Sequence, residues 1–139
     1  MKINGGCYCG DITYEAEADP ALTRICHCTD CQQLTGTAFR TVVAAVKGSF
    51  RLLTGTPTTF LKTSESGRVR EHGFCPRCGT PLYATAPGPG PKVYGVRTGT
   101  IRQRDQFAPQ LQIWTRSEQP WVASLASVKR VATQLAPPP

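Results

Sequence analysis

The chain has 139 residues, of which 40% are hydrophobic and 18% are charged, and this length suits one compact domain. Its longest apolar run, residues 42–46, is far shorter than the roughly 20 residues that cross a bilayer, which excludes a transmembrane helix. The formal charge of +7 raises nucleic acid as a partner, but no more than two basic residues are adjacent anywhere. We therefore expect dispersed, solvated charges, with neither a membrane nor a nucleic acid as partner.

The two ends of the chain carry few structural signals. The first six residues run straight into a cysteine pair and lack the apolar stretch of a signal peptide, so we expect a cytoplasmic protein. Residues 1–135 are predicted to form a single domain. Residues 136–139, which include three prolines, are predicted to be a disordered tail.

Short strands dominate the predicted elements. The alternation of polar and apolar side chains over residues 12–17 predicts a half-buried strand. Residues 38–46 are nearly all apolar and rich in β-branched side chains, which predicts a strand buried on both faces. Further strands are expected at 58–63, 68–74, 82–86, 93–98 and 111–115. Together these elements favour an all-β domain.

Two helices are also predicted. Thr29 followed by Gln32 fits a capping box, and Gly36 can end the short helix that it would begin. Leucine and valine recur at helical spacing over residues 125–135, which predicts a second helix near the C-terminus.

All seven cysteines fall into three motifs. The motifs are Cys7-Tyr8-Cys9, Cys26-His27-Cys28-Thr29-Asp30-Cys31 and Cys75-Pro76-Arg77-Cys78. Because glutathione keeps intracellular thiols reduced, clustered cysteines indicate metal or thiol chemistry rather than disulfides. Cysteines one to three residues apart can direct two sulfurs at one tetrahedral zinc ion, so we predict zinc binding.

The seven thiols divide naturally as four plus three. The first and third motifs would form a closed, structural four-thiolate site from Cys7, Cys9, Cys75 and Cys78. The middle motif would hold a second zinc through Cys26, Cys28 and Cys31, with the fourth position open as in reactive zinc sites. The alternative is that this trio lends one pair to a single site and leaves spare buried thiols.

The two histidines are expected to stay outside the metal sites. His27 lies between two cysteines, so its ring should point away from their sulfurs. His72 is expected on a strand in a hydrogen-bonded or solvated role rather than a catalytic one. The short helix would place Cys28 and Cys31 at its N-terminus, where backbone amides favour thiolate over thiol.

Taken in order, the cysteine motifs resemble a known family. Gly6-Cys7-Tyr8-Cys9-Gly10, the second motif with Gly36, and Phe74-Cys75-Pro76-Arg77-Cys78-Gly79 resemble the glutathione-dependent formaldehyde-activating enzyme (GFA) and centromere protein V family. The resemblance covers about residues 3–125. It implies a β-tent fold of mainly antiparallel sheets, with one short helix after the second cysteine motif and a structural zinc that pins the sheets.

The same resemblance implies a function. It points to a zinc-dependent carbon-sulfur lyase, similar to S-(hydroxymethyl)glutathione synthase, which adds a zinc-bound thiol such as glutathione to a small aldehyde such as formaldehyde. The metal ligands it implies are Cys7, Cys9, Cys75 and Cys78 for the structural zinc, and Cys26, Cys28 and Cys31 for a catalytic zinc that exchanges more easily. The arginines considered for the carboxylates of glutathione are Arg24, Arg40 and Arg97. Gln112 stands where many family members carry histidine.

Two other functions stay open from the sequence. The chain could be a zinc-stabilised binding module without catalysis, for which the positive charge would suit a polyanionic partner. It could also be a thiol redox enzyme with one cysteine of the trio as nucleophile, although no resolving cysteine is separately placed.

Overall fold

A computed structural model describes residues 1–137, so the last two residues of the predicted tail lie outside the described chain. Ten strands and one α-helix are the main regular elements of these residues. They are β1 (Lys2–Gly6), β2 (Thr13–Glu17), β3 (Arg24–Cys26), α1 (Thr29–Thr35), β4 (Arg40–Ala44), β5 (Arg51–Thr54), β6 (Thr58–Thr63), β7 (Val69–Phe74), β8 (Pro81–Thr85), β9 (Gly95–Arg97) and β10 (Leu111–Ile113). Short 3-10 helices lie in several of the connections, and across residues 1–137 no helix has the length and apolarity that a bilayer crossing requires.

The strands form two sheets. The smaller has the order β1-β2-β5, and the larger has the order β10-β3-β4-β9-β8-β7-β6. All neighbouring strands run antiparallel except β10, which pairs with β3 in parallel. The prediction of an all-β fold of mainly antiparallel sheets is therefore confirmed, and α1 is the short helix expected after the second cysteine motif.

One hydrophobic core joins the two sheets. Its fully buried side chains include Tyr14 of β2, Val43 of β4, Leu82 of β8 and Val96 of β9. Phe50 stacks on the ring of Tyr14 at a centroid distance of 5.1 Å, which links the small sheet to the aromatic side chains of the large one. Burying these apolar surfaces stabilises the fold and holds the strand ends that carry the cysteines.

Three strands were not predicted because they lack a readable pattern. β3 has only three residues and β5 is exposed along its whole length, so neither shows alternation. β1 ends in two glycines, a composition that usually argues against a strand. Gly5 is nevertheless needed there, because a Cβ atom at this position would lie 2.2 Å from the carbonyl oxygen of Thr100.

The predicted C-terminal helix is wrong. The chain forms 3-10 turns over Pro120–Ser127, and residues 128–137 are in no helix. Leu125, Val128 and Val131 are each more than half exposed, so no neighbouring element covers the apolar side of a helix here. Without that burial, a segment rich in serine and threonine does not gain enough to remain α-helical.

Candidate functional site

The structure brings the seven cysteines into two groups. Within each group the sulfur atoms all lie within 4.8 Å of one another, and all seven side chains are free thiols. The first group is Cys7, Cys9, Cys75 and Cys78, and the second is Cys26, Cys28 and Cys31. The spatial grouping is therefore four plus three.

The four-cysteine group has the dimensions of a zinc-thiolate tetrahedron. The sulfur of Cys9 lies 3.6 Å from that of Cys7 and 3.7 Å from that of Cys75. Four sulfurs bound to zinc at about 2.3 Å would be separated by about 3.8 Å. The group lies at the edge of the core, with Cys75 fully buried. Its donor set and spacing therefore fit a structural zinc.

Hydrogen-bond donors also face these sulfurs. The backbone N–H of Ile12 donates to the sulfur of Cys7 at 3.3 Å, and the hydroxyl of Thr80 lies 3.1 Å from the sulfur of Cys78. The hydrogen bond from Thr80 lowers the pKa of Cys78 to about 5. Gly79, the residue after Cys78, has a φ of +78°, a backbone conformation that glycine adopts without a steric penalty. Such donors stabilise thiolates, which are the form that binds metal.

The three-cysteine group lies where β3 meets α1. Cys26 is the last residue of β3, and the sulfur of Cys28 accepts the backbone N–H of Cys31 at 3.2 Å. Cys28 is therefore the N-cap of α1 and Thr29 is not, which corrects the predicted capping box. The sulfur acts as the acceptor that a serine or threonine oxygen usually provides at this position. Gly36 ends the helix in the left-handed conformation, as predicted.

Two thiols of this trio, Cys26 and Cys31, affect the pKa of each other. A hydrogen bond from the Cys31 thiol lowers the pKa of Cys26 to about 5, against the opposing effect of burial. The same hydrogen bond raises the pKa of Cys31. A divalent cation bound to the trio would displace the proton that these two thiols share, because cysteines bind metal as thiolates.

The imidazole of His27 does not join the sulfur group. It is fully buried, and its Nε2 atom lies 2.7 Å from Oε1 of Gln112 and 3.9 Å from the carboxylate of Glu118. The backbone carbonyl of His27 accepts hydrogen bonds from Gln32 and Ser117 at 2.8 and 2.9 Å. His27 therefore has a structural role, in which its hydrogen bonds connect the cysteine trio to β10 and to the segment after it. Its ring is not part of the sulfur group.

Basic residues gather on one face of the large sheet, so the expectation of dispersed charge is wrong here. Arg40 of β4 is opposite Cys26 of β3, and Arg97 of β9 is opposite Val42, two residues along β4. Because side chains alternate along a strand, Cys26, Arg40 and Arg97 share a face. The same face carries Arg24, Arg70 and Lys62.

His72 of β7 lies on this face beside Arg97. Its Nδ1 atom accepts a hydrogen bond from Nη2 of Arg97 at 3.2 Å, and its ring packs on Phe60 at a centroid distance of 5.0 Å. Burial, followed by the charge of Arg97, lowers the pKa of His72 to about 4. The histidine is therefore neutral at pH 7 and hydrogen-bonded, in agreement with its predicted role.

Two cavities flank the cysteine trio. One of about 220 Å³ is lined by Cys28, Lys62 and Trp114 among others, and Lys62 forms a 2.9 Å ion pair with Asp30 of α1. The other, of about 120 Å³, is lined by Arg40, His72 and Arg97 among others. A small molecule in the larger cavity can approach the trio at Cys28, whereas the smaller cavity is connected to the trio through Arg40, the cross-strand neighbour of Cys26.

Comparison with known proteins identifies the family. A model of the glutathione-dependent formaldehyde-activating enzyme family matches residues 2–117, which is most of the chain. The chain belongs to the GFA family. The crystal structure of a Rhodobacter sphaeroides protein is similar in fold, with a TM-score of 0.58 and 24% identity over 81% of this chain and 99% of that one.

Membership of the GFA family supports, at the level of the family, a lyase-type enzyme with glutathione-dependent formaldehyde-activating function. Both cysteine groups of this GFA protein are compatible with zinc. The cytoplasmic location stays a prediction.

Reasoning from the sequence missed part of this site. It flagged Gln112 only as a departure from the GFA pattern, whereas the structure shows it as the hydrogen-bond partner of a buried histidine. It also did not anticipate that Gln32 of α1 bonds the carbonyl of Ser117, 85 residues later. No local pattern marks such contacts, because they depend on β10 pairing with β3.

Proposed function

We propose that this protein is a zinc-dependent carbon-sulfur lyase that joins the thiol of glutathione to a small aldehyde such as formaldehyde. In this reaction the sulfur forms a bond to the carbonyl carbon, and the electron pair of the carbonyl moves to its oxygen. The thiol proton ends on that oxygen, so the product is an S-hydroxyalkyl adduct. The addition involves no net oxidation or reduction, so it requires no oxidant or reductant.

The observation that supports this most directly is the cysteine trio at the start of α1. Three sulfurs within 4.8 Å of one another form an incomplete tetrahedral ligand set, and Cys28 lines a cavity of about 220 Å³. We propose that Cys26, Cys28 and Cys31 are the ligands of the catalytic zinc. When bound there, zinc supplies a positive charge that favours thiolate over thiol and polarises an aldehyde oxygen.

Side chains of this chain would control the charge around the trio. Arg40 lies close enough to the trio for its charge to interact with those of the sulfurs, and so would offset part of the negative charge of three thiolates. Lys62 stands on the side of the other cavity, where Asp30 holds it in place. These cations would also attract glutathione, which is an anionic tripeptide.

We assign the four-cysteine group to a structural zinc. It links the turn after β1 to the turn after β7, two segments more than 60 residues apart, as the separation of Cys9 and Cys75 shows. A metal at this point would supply folding free energy directly, because the unfolded chain does not hold the ligands together.

The test combines metal content with rate. Wild-type protein and a Cys31→Ser variant are analysed for zinc per chain, and the formation of the glutathione adduct of formaldehyde is followed by NMR exchange. We expect two zinc ions in the wild type, the loss of one in Cys31→Ser, and acceleration of adduct formation by the wild type alone. The matched control is Gln33→Ser, which places a serine at an exposed position of the same helix.

Two outcomes contradict the proposal. A wild type with one zinc that Cys31→Ser retains would show that the trio binds no metal. A wild type with two zinc ions and no effect on the rate would favour the binding module, in which zinc only stabilises the fold.

A further inference from the structure

The smaller cavity is lined by Arg40, His72 and Arg97 together with aromatic side chains, among them Phe60 and Tyr83. Arg40 lies opposite Cys26 in the pairing of β3 with β4, and its charge interacts with those of the trio. Leu34, one helical turn after Cys31, also lines the cavity. Arg40 and Leu34 therefore connect the cavity to the region of the cysteine trio.

The guanidinium groups in this cavity lack acidic partners. Arg40 is only 5% exposed, and its Nε and Nη1 atoms are buried without a hydrogen-bond acceptor, as is Nε of Arg97. Within residues 1–137, none of the five ion pairs includes Arg40 or Arg97. Buried cations are costly unless they are paired, so this arrangement suits a site whose negative charge arrives with a ligand.

The thiolates of the trio account for only part of this charge. Arg40 contacts Cys31, but two of its three nitrogens remain without acceptors. Arg97 bonds Nδ1 of His72, which is a neutral acceptor. Arg97 also lies close enough to Arg40 for the two positive charges to repel, an effect that adds to burial in lowering the pKa of Arg97 to about 9. An anionic ligand between the two guanidinium groups would offset this repulsion.

We propose that Arg40, Arg97 and His72 form a pocket for a carboxylate group of the substrate, next to the cysteine trio. An arginine presents its N–H groups in a fork that matches the two oxygens of a carboxylate. Because the guanidinium of Arg97 can only donate, Nδ1 of His72 must accept, and the neutral ring then carries its proton on Nε2. The ring thus keeps the Arg97 fork in place.

The size of the cavity indicates which substrate carries the carboxylate. Its volume of about 120 Å³ corresponds to about four waters of the liquid, at about 30 Å³ each. This space can enclose a two-carbon aldehyde acid but not a whole tripeptide, and formaldehyde has no charge to pair with two arginines. The assignment to an aldehyde acid rests on the proposed lyase function, whereas binding of a carboxylate in the pocket does not.

Calorimetric titration of the zinc-loaded protein with glycolate tests the pocket. Glycolate has the size and charge of a two-carbon aldehyde acid but no carbonyl that a thiol could attack. We expect wild-type protein to bind it, ethylene glycol not to bind, and Arg97→Gln to weaken binding by about tenfold or more. Arg68→Gln, which changes an exposed arginine at the start of the β7 hairpin, should bind as the wild type does.

Absence of glycolate binding in the wild type, or unchanged binding in Arg97→Gln, overturns the pocket. If Arg97→Gln does not fold, an NMR titration of the wild type tests the pocket instead. The imidazole signals of His72 should shift when glycolate is added and should not shift with ethylene glycol. A competition experiment with S-methylglutathione separates the two sources of carboxylate. Independent binding assigns the pocket to the aldehyde, whereas competition overturns that assignment and gives the carboxylate to the peptide.

These outcomes are separable from failure of the lyase proposal. Glycolate binding requires no turnover, so a protein that binds glycolate but does not accelerate adduct formation would keep the pocket and lose the proposed reaction.

Discussion

His72 should make the stability of this protein depend on pH between 7 and 5. Its pKa is lowered from 6.5 to about 4, first by burial and then by the charge of Arg97. The unfolded chain therefore binds a proton on this residue at a higher pH than the folded chain does. The stabilisation is present above pH 6.5 and is lost as the pH falls towards 4.

The expected loss can be worked out from these two values. With a pKa of 6.5 unfolded and about 4 folded, the free energy of unfolding should fall by about 2 kcal/mol between pH 7 and pH 5. His72 is only 9% exposed, so solvent screening removes little of this effect.

Urea denaturation of the zinc-loaded wild type and of His72→Gln at several pH values measures the contribution of His72 to the free energy of unfolding. Glutamine keeps a carbonyl acceptor for Arg97 but does not titrate. The cysteines and His27 are present in both proteins, so their contributions cancel in the difference between the two curves. Parallel loss of stability in the two proteins from pH 7 to pH 5 would refute the reasoning.

Two further predictions concern packing and hydrogen bonding near the site. Gly73→Ala would place a Cβ atom 2.4 Å from the ring of Tyr83, so thermal or urea unfolding should show a loss of about 1–3 kcal/mol. Gly99→Ala is the matched control, because a Cβ atom there meets nothing within 4 Å, and equal losses in both variants would contradict the steric argument. Gln112→Leu removes the acceptor of the buried His27 ring and should cost about 1–3 kcal/mol in urea unfolding. Gln110→Leu, at an exposed glutamine two residues earlier, should stay close to the wild type, and similar values for both variants would show that His27 does not need Gln112.

Local features of this protein could be predicted from sequence because they depend on neighbouring residues. Cysteines one to three positions apart reach a common point whatever the rest of the fold does, so the trio and each of the two pairs were accessible from local spacing. The meeting of the two pairs, 66 residues apart, depends on the fold. The strand at 58–63 and the left-handed glycine that ends α1 follow from local patterns in the same way. The helical spacing over residues 125–135 led to a wrong prediction of a helix. Such periodicity stabilises a helix only where another surface covers its apolar side.

The arginine face illustrates what sequence patterns do not contain. Arg24, Arg40, Arg70 and Arg97 are far apart along the chain. Three of them, Arg24, Arg40 and Arg97, were candidates for the carboxylates of glutathione, but no sequence pattern placed the four on one face. Their common position depends on the order β3-β4-β9-β8-β7 and on the register of each pair. A shift of one residue in any of these registers would turn an arginine to the opposite face.

The sequence by itself determined the mainly β composition, the three cysteine motifs and the family resemblance, because each depends on residue types at short spacing. Only the tertiary structure decided what surrounds the cysteine trio: two unpaired arginines, a neutral histidine and a cavity of about 120 Å³. The physical reason is that charge, burial and cavity shape at this point arise from pairing between distant strands, whose long-range partners no local pattern specifies.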